Sequence, residues 1–127
     1  MMQNPRTTKR ERGKAGEEYA CRLLAKNGYG ILCRNYTCPG GEIDIIAAKE
    51  NYICFVEVKL RSLQTGENAA EAVDTSKLSR IKTASEHFLS EYHDNKYVSS
   101  LTPRFDIIEL YTCKSIVKKH NHITGVQ

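Results

Sequence analysis

Apolar residues recur at helical spacing in an N-terminal stretch of the chain. The stretch begins after Thr8 and Glu11, whose T-x-x-E spacing forms a capping box, and it ends before Gly28. This pattern predicts a helix over about residues 9–27. Gly13 and Gly16 inside the helix each cost about 1 kcal/mol relative to alanine, which indicates close approach of another backbone or a ligand.

A second helix and four or five strands follow. Asp74, Thr75 and Ser76 can cap a helix that runs to about Glu91, with its apolar positions from Leu78 onward. Short apolar runs bounded by turn residues predict strands at about 29–36, 42–48, 52–61, 104–112 and, more weakly, 115–123. The predicted fold is therefore α/β, in the order αβββαβ(β), with a central mixed sheet of four to five strands flanked by helices.

Charged residues interrupt the second and third strands. Asp44 lies inside "IDII", and Glu57 and Lys59 interrupt "FVEVKL". If "KEN" closes a tight hairpin that pairs Ala48 with Asn51, Asp44 lies opposite Phe55 and diagonal to Glu57. Because alternate strand residues point to opposite faces, this hairpin places Asp44, Glu57 and Lys59 on one face.

Two interpretations of this charged face remain open. It is either an exposed sheet face with a solvated Glu57–Lys59 pair, or a cluster that binds a cation. Phe55 shares the face, and Asp44 lies in an apolar run where an ionised carboxylate needs a partner. Carboxylate oxygens are hard ligands that suit Mg²⁺ or Mn²⁺.

Composition narrows the class of protein. The 127 residues, 40% of them hydrophobic, suit one domain with one core. No stretch is apolar enough to span a membrane, and no apolar segment follows the basic start as in a secretory signal. The five cysteines are odd in number and lack CxxC spacing, which argues against zinc and favours free thiols in the cytoplasm.

Positive charge is concentrated at the start of the chain. The net charge of +4 divides into eight Lys/Arg against three Asp/Glu in residues 1–40, and eleven against twelve in residues 41–127. We expect a disordered basic arm at residues 1–7 before a single domain at 8–127. The arm and the first helix indicate a polyanion partner, with a solvated tail as the alternative. The candidate phosphate contacts here are Lys9, Arg10, Arg12 and Lys14.

The motifs together resemble a known family. Asp44, followed thirteen residues later by Glu57-Val58-Lys59, resembles the PD-(D/E)xK signature of restriction-endonuclease-like nucleases. With "GKAGE" at 13–17, "GEIDII" at 41–46, "FVEVKLR" at 55–61 and "RFDII" at 104–108, the chain resembles the YraN-like family of uncharacterised bacterial proteins. That family is similar in fold to archaeal Holliday-junction resolvases, and the resemblance covers about residues 8–112.

The resemblance implies a metal-dependent DNA nuclease, with branched or damaged DNA as candidate substrates. Asp44 and Glu57 resemble the two metal ligands, Glu17 the acidic residue of the first helix that completes the site, and Lys59 the catalytic lysine. The backbone carbonyl of Val58 would be a further ligand, the ion would be Mg²⁺ or Mn²⁺, and the protein would be a homodimer. The proline of the signature does not immediately precede Asp44, where Glu42-Ile43 stand, and Glu42 is a second candidate ligand.

Several other polar residues have both a functional and a structural interpretation. Arg61 contacts a phosphate or closes the end of a strand, and Lys77 and Arg80 contact a DNA backbone or form a solvated helix face. Asp106 is expected to be a buried structural partner of Arg104 rather than a ligand, and His120 and His122 are expected to be surface residues. Two functions other than a nuclease also remain open, a non-catalytic nucleic-acid-binding module and an interaction subunit that keeps the nuclease fold.

Overall fold

A computed structural model describes residues 9–63 and 75–126. Its helices are α1 (Lys9–Lys26), α2 (Thr75–Glu91) and α3 (Lys96–Ser99), and its strands are β1 (Gly30–Cys38), β2 (Gly41–Lys49), β3 (Tyr52–Ser62), β4 (Thr102–Cys113) and β5 (Ile116–Ile123). The predicted element order is confirmed, and the fifth strand is present. The expected arm at residues 1–7, the capping role of Thr8 and that of Asp74 lie outside the described residues.

The short helix α3 was not predicted, because its segment was expected to be a loop. The side chain of Asn95 caps it by accepting a hydrogen bond from the backbone N–H of Val98. Val98 is buried with the core residues of α2, so one apolar side chain anchors this turn. A single helical turn is too short to show the apolar periodicity that identifies longer helices.

The five strands form one mixed sheet in the order β1-β2-β3-β4-β5. Neighbouring strands are antiparallel except β3 and β4, which are parallel because α2 and α3 return the chain between them. This arrangement confirms an α/β fold whose central mixed sheet is flanked by helices, as expected for a restriction-endonuclease-like protein. The β2–β3 hairpin and β4 form its centre.

Helices α1 and α2 cover opposite faces of the sheet. Leu24 of α1 packs with Cys54 and Val56 of β3, whereas Phe88 of α2 packs with Phe55 of the same strand. The alternation of β3 therefore divides the core into two clusters, one on each face. Beyond the apolar part of β3, the same alternation sets which residues reach the polar end of the sheet.

Two glycines permit close packing beside the charged hairpin. A Cβ atom on Gly41 would lie 2.6 Å from the backbone oxygen of Arg80, so only glycine lets α2 approach the start of β2 this closely. A Cβ atom on Gly16 would lie 3.2 Å from the side chain of Leu60. Gly16 is therefore closely approached, but by a side chain rather than by the backbone or ligand that was expected. The expectation is wrong for Gly13, where a Cβ atom would meet nothing within 4 Å.

The predicted register of the β2–β3 hairpin is wrong by two residues. Lys49 pairs with Tyr52 across a two-residue turn, and Ala48 pairs with Ile53 rather than with Asn51. The turn starts at Glu50, whose φ of 55° closes the loop within two residues. The ladder ends at Ile45 and Val56, so the position of Asp44 relative to Glu57 is set by the separation of the strands beyond that pair and not by the hairpin register.

None of the helices among residues 9–63 and 75–126 is long and apolar enough to cross a membrane.

Candidate active site

The candidate site lies in a fork between β2 and β3. The last backbone pair of the two strands is Ile45 with Val56, although both strands continue past it. Beyond that pair, the backbone N–H of Val58 donates a 2.8 Å hydrogen bond to Oδ2 of Asp44. A side chain thus replaces the backbone acceptor, and the half-buried Asp44 carboxylate is fixed where the strands separate.

Glu57 is the buried carboxylate of the fork. It is 2% exposed, and its buried Oε2 atom lies against the ammonium of Lys77. Burial, and next the neighbouring Asp44 carboxylate, raise the pKa of Glu57 to about 7. The two carboxylates are therefore close enough to repel each other, and a cation between them would relieve the repulsion.

Glu17 approaches the fork from α1. Burial, and next the Asp44 carboxylate, raise the pKa of Glu17, while a side-chain hydrogen bond from Asn35 and the charge of Arg34 lower it. Asp44 thus faces one carboxylate from its own hairpin and one from a helix on the other side of the sheet. The three acidic residues singled out by the resemblance lie in one neighbourhood.

Lys77 lies against these carboxylates rather than on an open helix face. Its Nζ atom is 2.5 Å from Oε2 of Glu57, with 37% of the lysine side chain exposed. Burial lowers the pKa of Lys77, but its hydrogen bond and ion pair with Glu57 and the charges of Asp44 and Glu42 outweigh burial and raise it. A solvated helix face is therefore wrong for Lys77, and its ammonium is the counter-ion of the site.

Lys59 lies on the same face of β3 as Glu57. The β3–β4 ladder runs without a break from Tyr52 to Ser62, so alternation places Glu57, Lys59 and Arg61 on one face. Lys59 is half-buried and pairs in register with Glu109 of β4. Among residues 9–63 and 75–126, no acidic side chain forms an ion pair with its ammonium.

The acidic group fits a hard divalent cation in charge and in donor type. Asp44 interacts electrostatically with Glu57 and, separately, with Glu17, and the buried Oε2 atom of Glu57 already attracts the ammonium of Lys77. In the part of the chain that the structure describes, however, no three acidic, His or Cys side chains converge closely enough to enclose an ion in this conformation. In this conformation the positive charge beside the Glu57 carboxylate is the ammonium of Lys77.

The other charges near the fork are engaged in ion pairs. Arg61 is 5% exposed, and its Nη2 atom lies 3.3 Å from Oε2 of Glu109, which favours the structural interpretation over a phosphate contact. Arg80 pairs with Glu42, and both side chains are about half exposed. Glu42 is thus a peripheral charge that already has a cationic partner.

Three basic residues near the start of α1 face solvent. Arg10, Arg12 and Lys14 are exposed on its first turns, close in sequence to Glu17. Lys9 begins the helix. This placement makes the start of α1 accessible to a large anion, as the charge pattern predicts.

Asn35 is a site residue that the sequence analysis missed. Its φ of 53° is left-handed although it lies within β1, where it is flanked by the Arg34–Ile45 and Tyr36–Ile43 pairs beside Asp44. Its side chain interacts with Glu17 and acts to lower the pKa of that carboxyl. Asparagine is depleted in strands and tolerates the left-handed region, so "RNY" inside an apolar strand was a usable signal.

A second polar network lies at the opposite face, around Asp106. Its Oδ2 atom is 2.8 Å from Nη2 of Arg104 and 2.8 Å from Nε2 of His122, and its Oδ1 atom accepts from the backbone of Gly125 at 3.2 Å. The structural role expected for Asp106 with Arg104 is confirmed. The surface role expected for His122 is wrong, because β5 brings it to this buried carboxylate, whereas His120 is exposed beside Tyr19.

Comparisons with known proteins agree with the resemblance noted in the sequence. Residues 16–110 match the model of the uncharacterised protein family UPF0102. A UPF0102 protein of Moorella thermoacetica is 38% identical over 94% of this chain and 92% of its own length. A UPF0102 protein of Caldanaerobacter subterraneus is 39% identical over 93% of this chain and 95% of its own length. A UPF0102 protein of Caldicellulosiruptor saccharolyticus is 43% identical over 81% of this chain and 84% of its own length.

Proposed function

Because the chain belongs to the uncharacterised protein family UPF0102, whose name assigns no activity, we propose its function from its own site: a metal-dependent nuclease that hydrolyses DNA phosphodiesters. The observation that carries the proposal is the pair of carboxylates, Asp44 and Glu57, held together in the fork of the hairpin. Two adjacent carboxylates, one of them buried, are costly for a fold to keep unless a cation uses them.

The acidic residues would hold the ion, with no other group needed to neutralise it. Glu17, Asp44 and Glu57 would supply carboxylate oxygens, and Val58 its backbone carbonyl. The hydrogen bond from the Val58 N–H to Asp44 already fixes that peptide beside the carboxylate. When bound, Mg²⁺ or Mn²⁺ would lower the pKa of a coordinated water and neutralise charge on the phosphate.

Lys59 is proposed as the catalytic lysine. Its ammonium lies on the face of Glu57 and would donate hydrogen bonds to a phosphate oxygen as negative charge grows there. In the reaction, a water oxygen attacks phosphorus and gives up a proton to solvent, the bond to the leaving sugar oxygen breaks, and that oxygen takes up a proton from solvent. Arg10, Arg12 and Lys14 on α1 would contact flanking phosphates and orient the DNA.

One observation favours a second candidate, a DNA-binding module that does not cleave. The ion pair between Lys77 and Glu57 neutralises the site from within the chain, as a protein with no metal would require. Lys59 argues for the nuclease, because a binder that needs only neutral carboxylates has no use for a second lysine on that face.

The deciding experiment is a cleavage assay on linear, nicked, flapped and four-way-junction DNA with Mg²⁺ or Mn²⁺. The wild type should cut at least one substrate, and Asp44→Asn should cut none, because an amide is a poor ligand for a hard cation. Glu50→Gln is the matched control, since Glu50 is an exposed carboxylate in the turn of the same hairpin. Cleavage by Asp44→Asn at the wild-type rate, or none by the wild type, would favour the binding module.

Lys59→Ala tests the proposed role of Lys59 as the catalytic lysine in the same cleavage assay. It should lower the cleavage rate by about 10²–10³-fold while Mn²⁺ still binds, because its proposed interaction forms with the transition state. The cytoplasmic location expected from the cysteines remains a prediction. The homodimer implied by the resemblance remains a prediction, which light scattering tests.

A further inference from the structure

Among residues 9–63 and 75–126, Lys77 is the lysine whose ammonium lies against the carboxylates of the fork. Its Nζ atom lies 2.5 Å from Oε2 of Glu57, and the charges of Asp44 and Glu42 also act on it. The Glu57 oxygen is buried, so this ammonium is its cationic partner in the described part of the chain. Sequence spacing had suggested that Lys77 faces DNA or solvent.

The ion pair explains how the site is stable before any metal arrives. Asp44 and Glu57 share one small volume, and like charges at such short range destabilise each other. The ammonium of Lys77 offsets that repulsion. A divalent cation bound to the same oxygens would meet strong repulsion from an ammonium at this distance, so the two cations exclude each other.

We infer that Lys77 is an exchangeable counter-ion, which holds Asp44 and Glu57 in the metal-free protein and leaves when a divalent cation binds. This inference rests on the proposed metal-dependent function. It makes Lys77 a positioning residue that sets the affinity of the site for its metal.

The helix can release the side chain without moving. Lys77 lies on the first turn of α2 and is 37% exposed, so its flexible stem can turn toward solvent. The helix itself is anchored further along by Ile81, Ala84 and Phe88 and by the close approach to Gly41. Exchange therefore costs a side-chain rotation rather than a rearrangement of the core.

The experiment measures Mn²⁺ binding by calorimetry, and thermal unfolding in EDTA and in Mn²⁺, for four proteins. These are the wild type, Lys77→Met, Lys77→Arg and the control Lys82→Met, which removes an exposed lysine from the next turns of α2. Lys77→Met should bind Mn²⁺ at least about fivefold more tightly, because no internal cation competes. Its unfolding temperature should fall in EDTA and recover in Mn²⁺, while Lys77→Arg and Lys82→Met should stay near the wild type.

The outcomes separate this inference from the proposed function. Unchanged or weaker Mn²⁺ binding by Lys77→Met would overturn the proposed exchange. The proposed nuclease function would still be supported if the wild type binds Mn²⁺ and the Asp44→Asn variant does not. Unfolding temperatures that fall equally with and without Mn²⁺ also overturn it, since a purely structural lysine behaves that way. If no variant binds Mn²⁺, the metal-dependent function fails, and the exchange fails with it.

Discussion

Asp44 accepts its hydrogen bond from the backbone of Val58, at 2.8 Å, at the point where β2 and β3 stop pairing. The carboxylate therefore has a structural role in closing the end of the ladder as well as the proposed role in binding an ion. It also links the two motifs "GEIDII" and "FVEVKLR", so that the position of one carboxylate fixes the backbone next to the other.

Substitutions at Asp44 should separate these two roles. Asp44→Ala leaves the Val58 N–H without its acceptor and should lower the free energy of unfolding in EDTA by about 1–3 kcal/mol. Asp44→Asn keeps an acceptor oxygen and removes a charge that repels Glu57, so its stability in EDTA should equal or exceed that of the wild type. Urea unfolding measures both, and equal losses for the two variants would contradict the structural role of the hydrogen bond.

The fold was predictable because periodicity records which faces are buried. The two helical stripes and the alternation in β3 correspond to the two clusters on opposite faces of the sheet. The alternation along β3 placed Glu57, Lys59 and Arg61 on one face even though the predicted hairpin register was wrong. Alternation within one strand does not depend on which residues of the next strand it pairs with. Local sequence patterns are enough to predict which face of an element a residue lies on, but not which particular side chain it contacts.

Contacts between distant elements were not predictable in the same way. Lys77 meets Glu57 only because α2 starts above the polar end of β3, and His122 meets Asp106 only through the register of β5 on β4. Neither distance in sequence nor periodicity encodes these pairs. Asn35 is intermediate, since its residue type indicated an irregular backbone but not that its side chain acts on the pKa of Glu17.

The network around Asp106 should dominate acid stability. Burial alone would raise the pKa of Asp106, but hydrogen bonds from His122, Arg104 and Gly125 outweigh it and lower the pKa. The stabilisation is thus complete above the ordinary Asp pKa of about 4 and is lost as pH falls through the lower value of the folded state. Asp106→Asn should lower the free energy of unfolding by about 3 kcal/mol at pH 7, and the difference from the wild type should be smaller near pH 2.

Urea unfolding of the wild type and Asp106→Asn at several pH values measures this difference. Asp94→Asn is a suitable control, because Asp94 is exposed in the turn after α2. A penalty for Asp106→Asn that does not shrink in acid would contradict an ionised, hydrogen-bonded Asp106.

The charges at the start of α1 should set the salt dependence of DNA binding. Changing Arg10, Arg12 and Lys14 to glutamine should weaken binding to duplex DNA and reduce the slope of log K against log salt by up to about 3, through lost counterion release. Arg22→Gln with Lys26→Gln is the control, since both are exposed at the other end of the helix. An equal change per charge removed in the two sets would mean that only net charge matters.

The pKa of Glu57 gives a stability signature that does not depend on DNA. Burial and the neighbouring Asp44 raise this pKa to about 7, so the folded protein keeps a proton on Glu57 that the unfolded chain, with a pKa of about 4.3, releases. In EDTA, stability should therefore fall as pH rises from about 4.5 to 7, by an amount on the order of 2 kcal/mol. Lys77 stays protonated throughout this range, since its pKa is raised from an already high value.

Thermal unfolding in EDTA from pH 5 to pH 8 tests this prediction, with Glu57→Gln lacking the decline and Glu50→Gln retaining it. Adding Mn²⁺ should reverse the trend in the wild type, because the ion binds the deprotonated carboxylate and its stabilising effect grows as pH rises through about 7. Glu57→Gln should gain little stability from Mn²⁺ at any pH. A decline that is the same in the wild type and in Glu57→Gln would show that Glu57 is not the group that titrates.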